Sequence, residues 1–173
     1  YCDGFVFPAG FDLSRIEFLD QVIISDCIFL GTVHFSGTRF HSQTRFSNVT
    51  FRQDVHFAWS MGTDMRWPST DDALDLLQAA FVDNPQQVRG PFFDSVEFSG
   101  CMFEGNATLN ARFGGESTFV RCRFHKALTV SYSRFDDVCD FSNCRFEDSV
   151  NFTHVVFHKV ARFSYSTFKD SLF

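Results

Sequence analysis

Large apolar residues recur along the chain at alternating intervals of five and six positions, and phenylalanine fills most of these positions. The spacing fits neither the period of about 3.6 residues of an amphipathic helix nor the period of about two of a flat strand. A small or branched residue stands two positions before each large one, and the remaining positions are mostly polar. The large residues are Leu13, Phe18, Ile24, Phe29, Phe35, Phe40, Phe46, Phe51 and Phe57, then Phe98, Phe103, Leu109, Phe113, Phe119, Phe124 and Val130, and the pattern continues to Phe173.

A coil with four short sides accommodates this pattern. Intervals of five, six, five and six residues give 22 residues per turn, and residues one turn apart would stack at the strand spacing of about 4.8 Å. Four large side chains would fill the centre of each coil, and only small residues would fit beside them at close-packed density. The sequence therefore predicts an all-β solenoid with its aromatic rings pointing inward.

Two segments show the repeat clearly, residues 35–40 (FSGTRF) and residues 141–146 (FSNCRF). They resemble the pentapeptide-repeat family, in which a central Leu or Phe follows a small residue two positions earlier. The resemblance covers residues 5–57 and 92–173, and it implies a right-handed quadrilateral β-helix. One interval, from Leu109 to Phe113, has only four residues and predicts a tightened corner or a local irregularity.

The repeat is interrupted once, so the chain divides into coils 1–58, an insertion 59–91 and coils 92–173, which together form one domain. Both tryptophans and two of the three methionines lie in the insertion. Capping residues and an apolar stripe predict one helix there, at about residues 70–82. The helix either packs on the solenoid wall or belongs to a partner-binding epitope, for which the candidates are Trp59, Met61, Met65 and Trp67.

Five of the six cysteines occupy the small inward register, which predicts buried, reduced thiols. Cys101, Cys122 and Cys144 should form one column, and redox or metal roles are the alternative. Cys2 falls outside the register and is unassigned. Buried thiols favour a cytoplasmic location. His34 and His56 should stack on an outer face, and neither the histidines nor the cysteines predict a metal site.

Charge is spread along the chain, with a net charge of −6, and no basic patch for nucleic acid and no apolar run of membrane-spanning length stands out. The 22-residue spacing places Arg123 and Arg145 in one external column and Arg112 and Arg134 in another. These columns are either solvated and balanced by neighbouring carboxylates or they recognise a ligand. Arg123 and Arg145 are therefore further candidates for partner binding.

The sequence contains no catalytic motif and no cofactor motif, and a convex tube should lack a catalytic pocket, so we expect a protein that is not an enzyme. The favoured function is a non-catalytic scaffold or protein-interaction module. The resemblance implies an alternative, a DNA mimic that binds a type II topoisomerase (gyrase). A third hypothesis is a soluble module of a larger membrane or signalling protein. The apolar coil at Phe173 predicts either a homodimer through the C-terminal coil or further downstream residues.

Overall fold

The computed structural model describes residues 1–58 and 91–172, and this part of the chain is all-β, with no helix. Most of the strands are two residues long, because each side of the coil has only five or six residues and part of it forms the corner. In chain order the strands are β1 (Cys2–Asp3), β2 (Val6–Phe7), β3 (Phe11–Asp12), β4 (Glu17–Phe18), β5 (Val22–Ser25), β6 (Ile28–Phe29), β7 (Val33–His34), β8 (Arg39–Ser47), β9 (Thr50–Phe51), β10 (Val55–Phe57), β11 (Phe92–Ser99), β12 (Met102–Phe103), β13 (Ala107–Leu109), β14 (Arg112–Phe113), β15 (Ser117–Val120), β16 (Arg123–Phe124), β17 (Leu128–Thr129), β18 (Arg134–Phe135), β19 (Cys139–Asp140), β20 (Arg145–Phe146), β21 (Val150–Asn151), β22 (Val156–Phe157), β23 (Ala161–Arg162) and β24 (Thr167–Phe168).

The strands pair in parallel and form four walls. Wall 1 contains β1, β5, the second half of β8, the second half of β11, β15, β19 and β23. Wall 2 contains β2, β6, β9, β12, β16, β20 and β24, and wall 3 contains β3, β7, β10, β13, β17 and β21. Wall 4 contains β4, the first half of β8, the first half of β11, β14, β18 and β22. Walls 1 and 4 join into one sheet because β8 and β11 each run through a corner.

The pairing confirms the predicted layer spacing. Cys2 pairs with Ile24 and Ile24 with Phe46, which are steps of 22 residues. Phe46 then pairs with Phe98, so the coils before and after the insertion stack in register. The two sets of coils therefore form one continuous stack, and the predicted β-helix is confirmed.

The inward-facing rings form columns along the bore, as predicted. In wall 2 the column runs from Phe7 to Phe168, with neighbouring ring centroids 4.5–5.2 Å apart and ring planes within 15° of parallel. Rings from the opposite walls 1 and 3 meet edge to face across the bore instead, as Phe46 and Phe57 do at 6.1 Å and 80°. Both geometries are favourable for aromatic pairs, so each ring is held by its column and by its neighbours across the bore.

In each five-residue interval the chain turns the corner through one residue whose backbone dihedrals lie in the left-handed region, where φ is positive. At each such corner this residue lies two positions after the large residue, where a type II turn requires a positive φ. Between walls 1 and 2 these residues are Gly4, Asp26, Asn48, Gly100, Arg121, Asn143 and Tyr165, and between walls 3 and 4 they are Arg15, Gly37, Tyr132 and His154. The alternation of five and six residues is therefore an alternation of two corner types.

Small residues that follow the left-handed corners also satisfy backbone carbonyls. At one corner the Thr38 N–H donates to the Phe35 carbonyl, and the Thr38 hydroxyl donates to the Leu13 carbonyl of the coil before, at 2.7 Å. The Cys122 thiol contacts the Phe98 carbonyl in the same way, at 3.4 Å. Because buried carbonyls need donors, this register favours Thr, Ser and Cys over purely apolar residues at these corners.

The shortened corner between Leu109 and Phe113 is the predicted irregularity. Side chains form hydrogen bonds between this corner and the next coil. The Ser133 hydroxyl accepts from the Ala111 N–H at 3.1 Å and donates to the Leu109 carbonyl at 2.8 Å. The Asn110 amide nitrogen, turned toward the next coil, donates to the carbonyls of Thr129 and Ser131 at 3.3 and 3.1 Å. Two polar side chains thus complete a corner that is one residue too short.

We expect Ser133→Ala to lower the free energy of unfolding by about 2 kcal/mol, because it leaves a buried N–H and a buried C=O without partners. Urea unfolding followed by circular dichroism measures the change. Ser142→Ala, which removes a hydroxyl from the corner between walls 1 and 2, is the matched control and should cost less than about 0.5 kcal/mol. Equal effects of the two substitutions would contradict the assignment of Ser133 as a corner group.

Two features differ from the sequence reading. Cys2 pairs with Ile24 and therefore begins the wall 1 column rather than lying outside the register. After the insertion the inward ring is Phe93, which is fully buried, while Phe92 points outward with the Arg39 guanidinium 5.9 Å from its centroid. The helix predicted at about residues 70–82 lies outside the described residues.

Candidate functional site

The predicted arginine pair lies on wall 2, near the C-terminal end of the solenoid. Arg123 pairs with Arg145, and Arg145 with Thr167, so these residues form one outward column. Two positions further along each rung, a second column follows. We refer to both columns together as the wall 2 cluster, which consists of Arg123, Arg145, Thr167, His125, Glu147 and Lys169.

Glu147 is the single carboxylate among the cations of the wall 2 cluster. Its Oε1 lies 2.9 Å from Arg145 Nε, 3.5 Å from Arg123 Nε and 3.8 Å from Lys169 Nζ. Its Oε2 lies 3.4 Å from His125 Nδ1. One negative group therefore serves two guanidiniums, an ammonium and an imidazole, and the cluster has an excess of positive charge.

The cluster is accessible to a partner. The side chains of Arg123 and Arg145 are 43% and 46% exposed, whereas Glu147 is 22% exposed. His125 is half-buried, and its Nε2 is shut off from solvent with no hydrogen-bond partner among the described residues. The carboxylate thus lies below a rim of exposed cations.

Wall 4, on the opposite side of the solenoid, carries the second predicted arginine column. Arg112 pairs with Arg134, and both donate hydrogen bonds to Asp136, Arg112 to Oδ2 at 3.0 Å and Arg134 to Oδ1. Partial burial tends to raise the pKa of Asp136, but the hydrogen bonds from the two arginines outweigh it and the pKa is lowered. On this wall each carboxylate oxygen has its own guanidinium.

Three of the sequence-based expectations about these residues can be compared with the structure. The Arg123–Arg145 and Arg112–Arg134 columns are confirmed. Each column also lies beside a carboxylate, Asp136 on wall 4 and Glu147 on wall 2. The convergence of several cations on Glu147 was missed, although the same 22-residue spacing relates His125, Glu147 and Lys169. The other candidate residues, Trp59, Met61, Met65 and Trp67, lie outside the described residues.

Histidines stack on wall 3, as the spacing predicts. The rings of His34 and His56 are 5.0 Å apart and nearly parallel. Burial lowers the pKa of His56 below its ordinary value, and the positive charge that His34 can carry lowers it further. A stacked pair of imidazoles of this kind suits a structural ladder.

The lowered pKa of His56 predicts that the protein loses stability in acid. A histidine with a lowered folded-state pKa binds fewer protons when folded, so acidification favours unfolding. The free energy of unfolding should begin to fall below the ordinary histidine pKa of 6.5. Denaturant unfolding at pH 7.5 and 5.5 measures this, and His56→Gln should show a smaller drop than the wild-type chain. An identical drop in both proteins would assign the acid sensitivity to other groups.

The thiols lie in the core, as predicted. Cys27, Cys101, Cys122, Cys139 and Cys144 are buried, and all six cysteines are free. Burial raises the pKa of the Cys139 thiol well above its ordinary value, and burial together with the flanking Cys101 and Cys144 does the same for Cys122. These two groups are protonated at neutral pH and pack as small neutral side chains.

A cavity of about 490 Å³ opens at the first coil, where the sequence predicts no concave pocket. Its lining is mostly apolar and includes Phe7, Phe11, Leu13 and Phe18. Among residues 1–58 and 91–172 no group of three or more His, Cys, Asp or Glu side chains could hold a metal ion. The same residues include no helix long and apolar enough to cross a membrane.

A model of pentapeptide repeats with nine copies matches residues 13–58, 110–156 and 131–173, which is well over half of the chain. The chain belongs to the pentapeptide-repeat family. No curated protein and no solved structure matches it. The stacked rings and the small inward register of this pentapeptide-repeat protein are those of a β-solenoid, and the fold fits a non-catalytic repeat protein.

Proposed function

We propose that the chain is a non-catalytic protein-interaction module that binds an anionic partner through the wall 2 cluster. The observation that carries this proposal is the excess of exposed cations around one carboxylate, at Arg123, Arg145 and Lys169 around Glu147. Exposed ion pairs contribute little to folding, about 0–1 kcal/mol. The cluster is therefore of more use for recognition than for stability.

The scaffold supports this function because it holds the cations on a rigid flat wall. Phe124 and Phe146, which lie between the charged positions of their rungs, are fully buried and stack at 5.1 Å. Side chains on such rungs keep their spacing, and a preorganised surface loses less entropy when it binds. Repeat proteins commonly bind through extended surfaces of this kind.

Capture of partner proteins by the immobilised chain tests the proposal, with variants that differ only in the wall that is changed. We expect R123Q/R145Q to lose a partner that the wild-type chain retains. The matched control is R112Q/R134Q, which removes the same residue types in the same register from wall 4 and should keep the partner. Equal retention by both variants would contradict binding through wall 2. A chain lacking residues 59–90 tests the separate prediction for Trp59, Met61, Met65 and Trp67.

Imitation of duplex DNA is less well supported than binding through wall 2. A mimic needs a continuous negative potential along the rod, whereas here arginines and acids alternate on the walls, as in the Arg45–Glu97 and Arg52–Glu104 pairs at 2.8 and 2.7 Å. We expect gyrase to keep full supercoiling activity in excess chain. Inhibition that rises with chain concentration would restore the mimicry hypothesis.

A further inference from the structure

The two arginine columns of the solenoid differ in how well their guanidiniums are satisfied. On wall 4, Arg112 and Arg134 both form hydrogen bonds to Asp136, one to each oxygen. On wall 2, Arg123 and Arg145 approach the same oxygen of Glu147 through Nε, at 3.5 and 2.9 Å. The arginine pair thus has one carboxylate oxygen for each guanidinium on wall 4, whereas the two guanidiniums on wall 2 share a single oxygen.

The arginine pair of wall 2, which shares one carboxylate oxygen, leaves guanidinium donors for an external ligand. Arg123 and Arg145 contact Glu147 through Nε, and the two side chains project from adjacent rungs, about 4.8 Å apart. Like charges at this distance repel, and Glu147 offsets only part of the repulsion. Lys169 adds a third cation within 3.8 Å of the same carboxylate oxygen.

The chemistry of the ligand follows from what must displace Glu147. A ligand carboxylate would exchange one single negative charge for another, with little gain. A phosphate monoester carries a charge of about −1.5 to −2 and three acceptor oxygens, so it can accept from both guanidiniums at once and neutralise more of the cluster. A phosphodiester of a nucleic acid carries a single charge and lacks this advantage over Glu147.

We propose that Arg123, Arg145 and Lys169 bind a phosphorylated serine or threonine of a partner protein, and that Glu147 occupies the site until the phosphate replaces it. This inference rests on the proposed interaction function and names the group that the cluster recognises. Arginine forks are well matched to phosphate oxygens. Glu147 is then a competitor within the site rather than a contributor to binding.

Titration with a fluorescent phosphoserine peptide flanked by Gly and Ala residues tests the proposal at constant ionic strength. The same peptide with Ser or with Glu in place of phosphoserine gives the reference affinities. We expect the phosphopeptide to bind at least tenfold more tightly than the Glu peptide. R123Q/R145Q should weaken binding at least tenfold, whereas R112Q/R134Q should leave it within twofold, with thermal unfolding used to confirm that each variant is folded.

Glu147→Gln gives the sharpest test because it removes the competitor and keeps the shape of the side chain. If Glu147 holds the site, this substitution should tighten phosphopeptide binding about fivefold or more, an added interaction of about 1 kcal/mol. Unchanged or weaker binding would overturn the proposal, and so would a single-stranded oligonucleotide that binds the cluster more tightly than the phosphopeptide.

The outcome can be separated from that of the interaction function itself. Capture of a partner that depends on Arg123 and Arg145 but survives phosphatase treatment of the partner would overturn the phosphate inference and leave the interaction proposal intact. Phosphopeptide binding at wall 2 without any captured partner would support phosphate recognition by the cluster and would count against the interaction proposal. Capture that is lost after phosphatase treatment supports both.

Discussion

Replacing Phe98 with alanine should lower the free energy of unfolding by about 3–5 kcal/mol. The Phe98 ring is fully buried and stacks between Phe46 and Phe119, at centroid distances of 4.6 and 5.2 Å. It also meets the edge of Phe57 at 5.8 Å. Alanine would therefore remove these aromatic contacts and leave a cavity, because the stacked backbones on all sides prevent the bore from collapsing.

Chemical denaturation of the purified chain measures this loss. The matched control is Phe92→Ala, since Phe92 lies on the same strand β11 but points outward against Arg39. Removing that ring should cost only about 1 kcal/mol, because it loses surface contacts rather than core packing. Similar costs at the two positions would contradict an aromatic core, and the assignment of the inward register would then be wrong.

The repeat explains why so much of this fold could be read from sequence. In a solenoid each coil contacts its neighbours, so one spacing of 22 residues predicts which side chains stack. That spacing correctly paired His34 with His56 and Arg123 with Arg145. Because the side chains of a strand alternate between its two faces, the same pattern also separated the buried rings from the polar wall.

Features beyond the backbone register were harder to predict. The register places the Cβ atoms of Arg123, His125 and Glu147 on the outer face, but it does not determine where long side chains end. The sharing of one carboxylate oxygen by three cations depends on those rotamers. Likewise, the sequence offers two adjacent rings after the insertion, and only the packing of the coils shows that Phe93 rather than Phe92 is buried.

Corner chemistry was predictable only in part. The four-residue interval after Leu109 predicted an irregular corner. The interval does not predict that the Ser133 hydroxyl of the next coil forms the hydrogen bonds of this corner. The left-handed corners show the same limit. Gly37 and Asn48 suit a positive φ, whereas Arg121 and Tyr165 adopt it as well. Tertiary packing therefore overrides local preference at several turns.

Close approach between corners leads to the second large prediction, for Gly105. Gly105 lies at the corner between walls 2 and 3, directly against the corner of the preceding coil. A Cβ at this position would lie 2.5 Å from the backbone nitrogen of Asp54 and closer still to the carbonyl carbon of Gln53. Both neighbours are backbone atoms of a paired coil, so they cannot rotate away as a side chain could.

We therefore expect Gly105→Ala to lower the free energy of unfolding by about 3 kcal/mol, through forced separation of two coils. Lys126→Ala is the matched control, because Lys126 occupies the same corner one coil later, where a side chain is already accommodated and exposed. That substitution should change stability by less than about 0.5 kcal/mol. Thermal and urea unfolding of the two variants test the contrast.

Amide hydrogen exchange tests where the coils separate. Since β12 and β13 flank Gly105 and pair with the coils on both sides, Gly105→Ala should lose protection first in these strands. Unchanged protection there would mean that the corners do not limit how closely the coils stack.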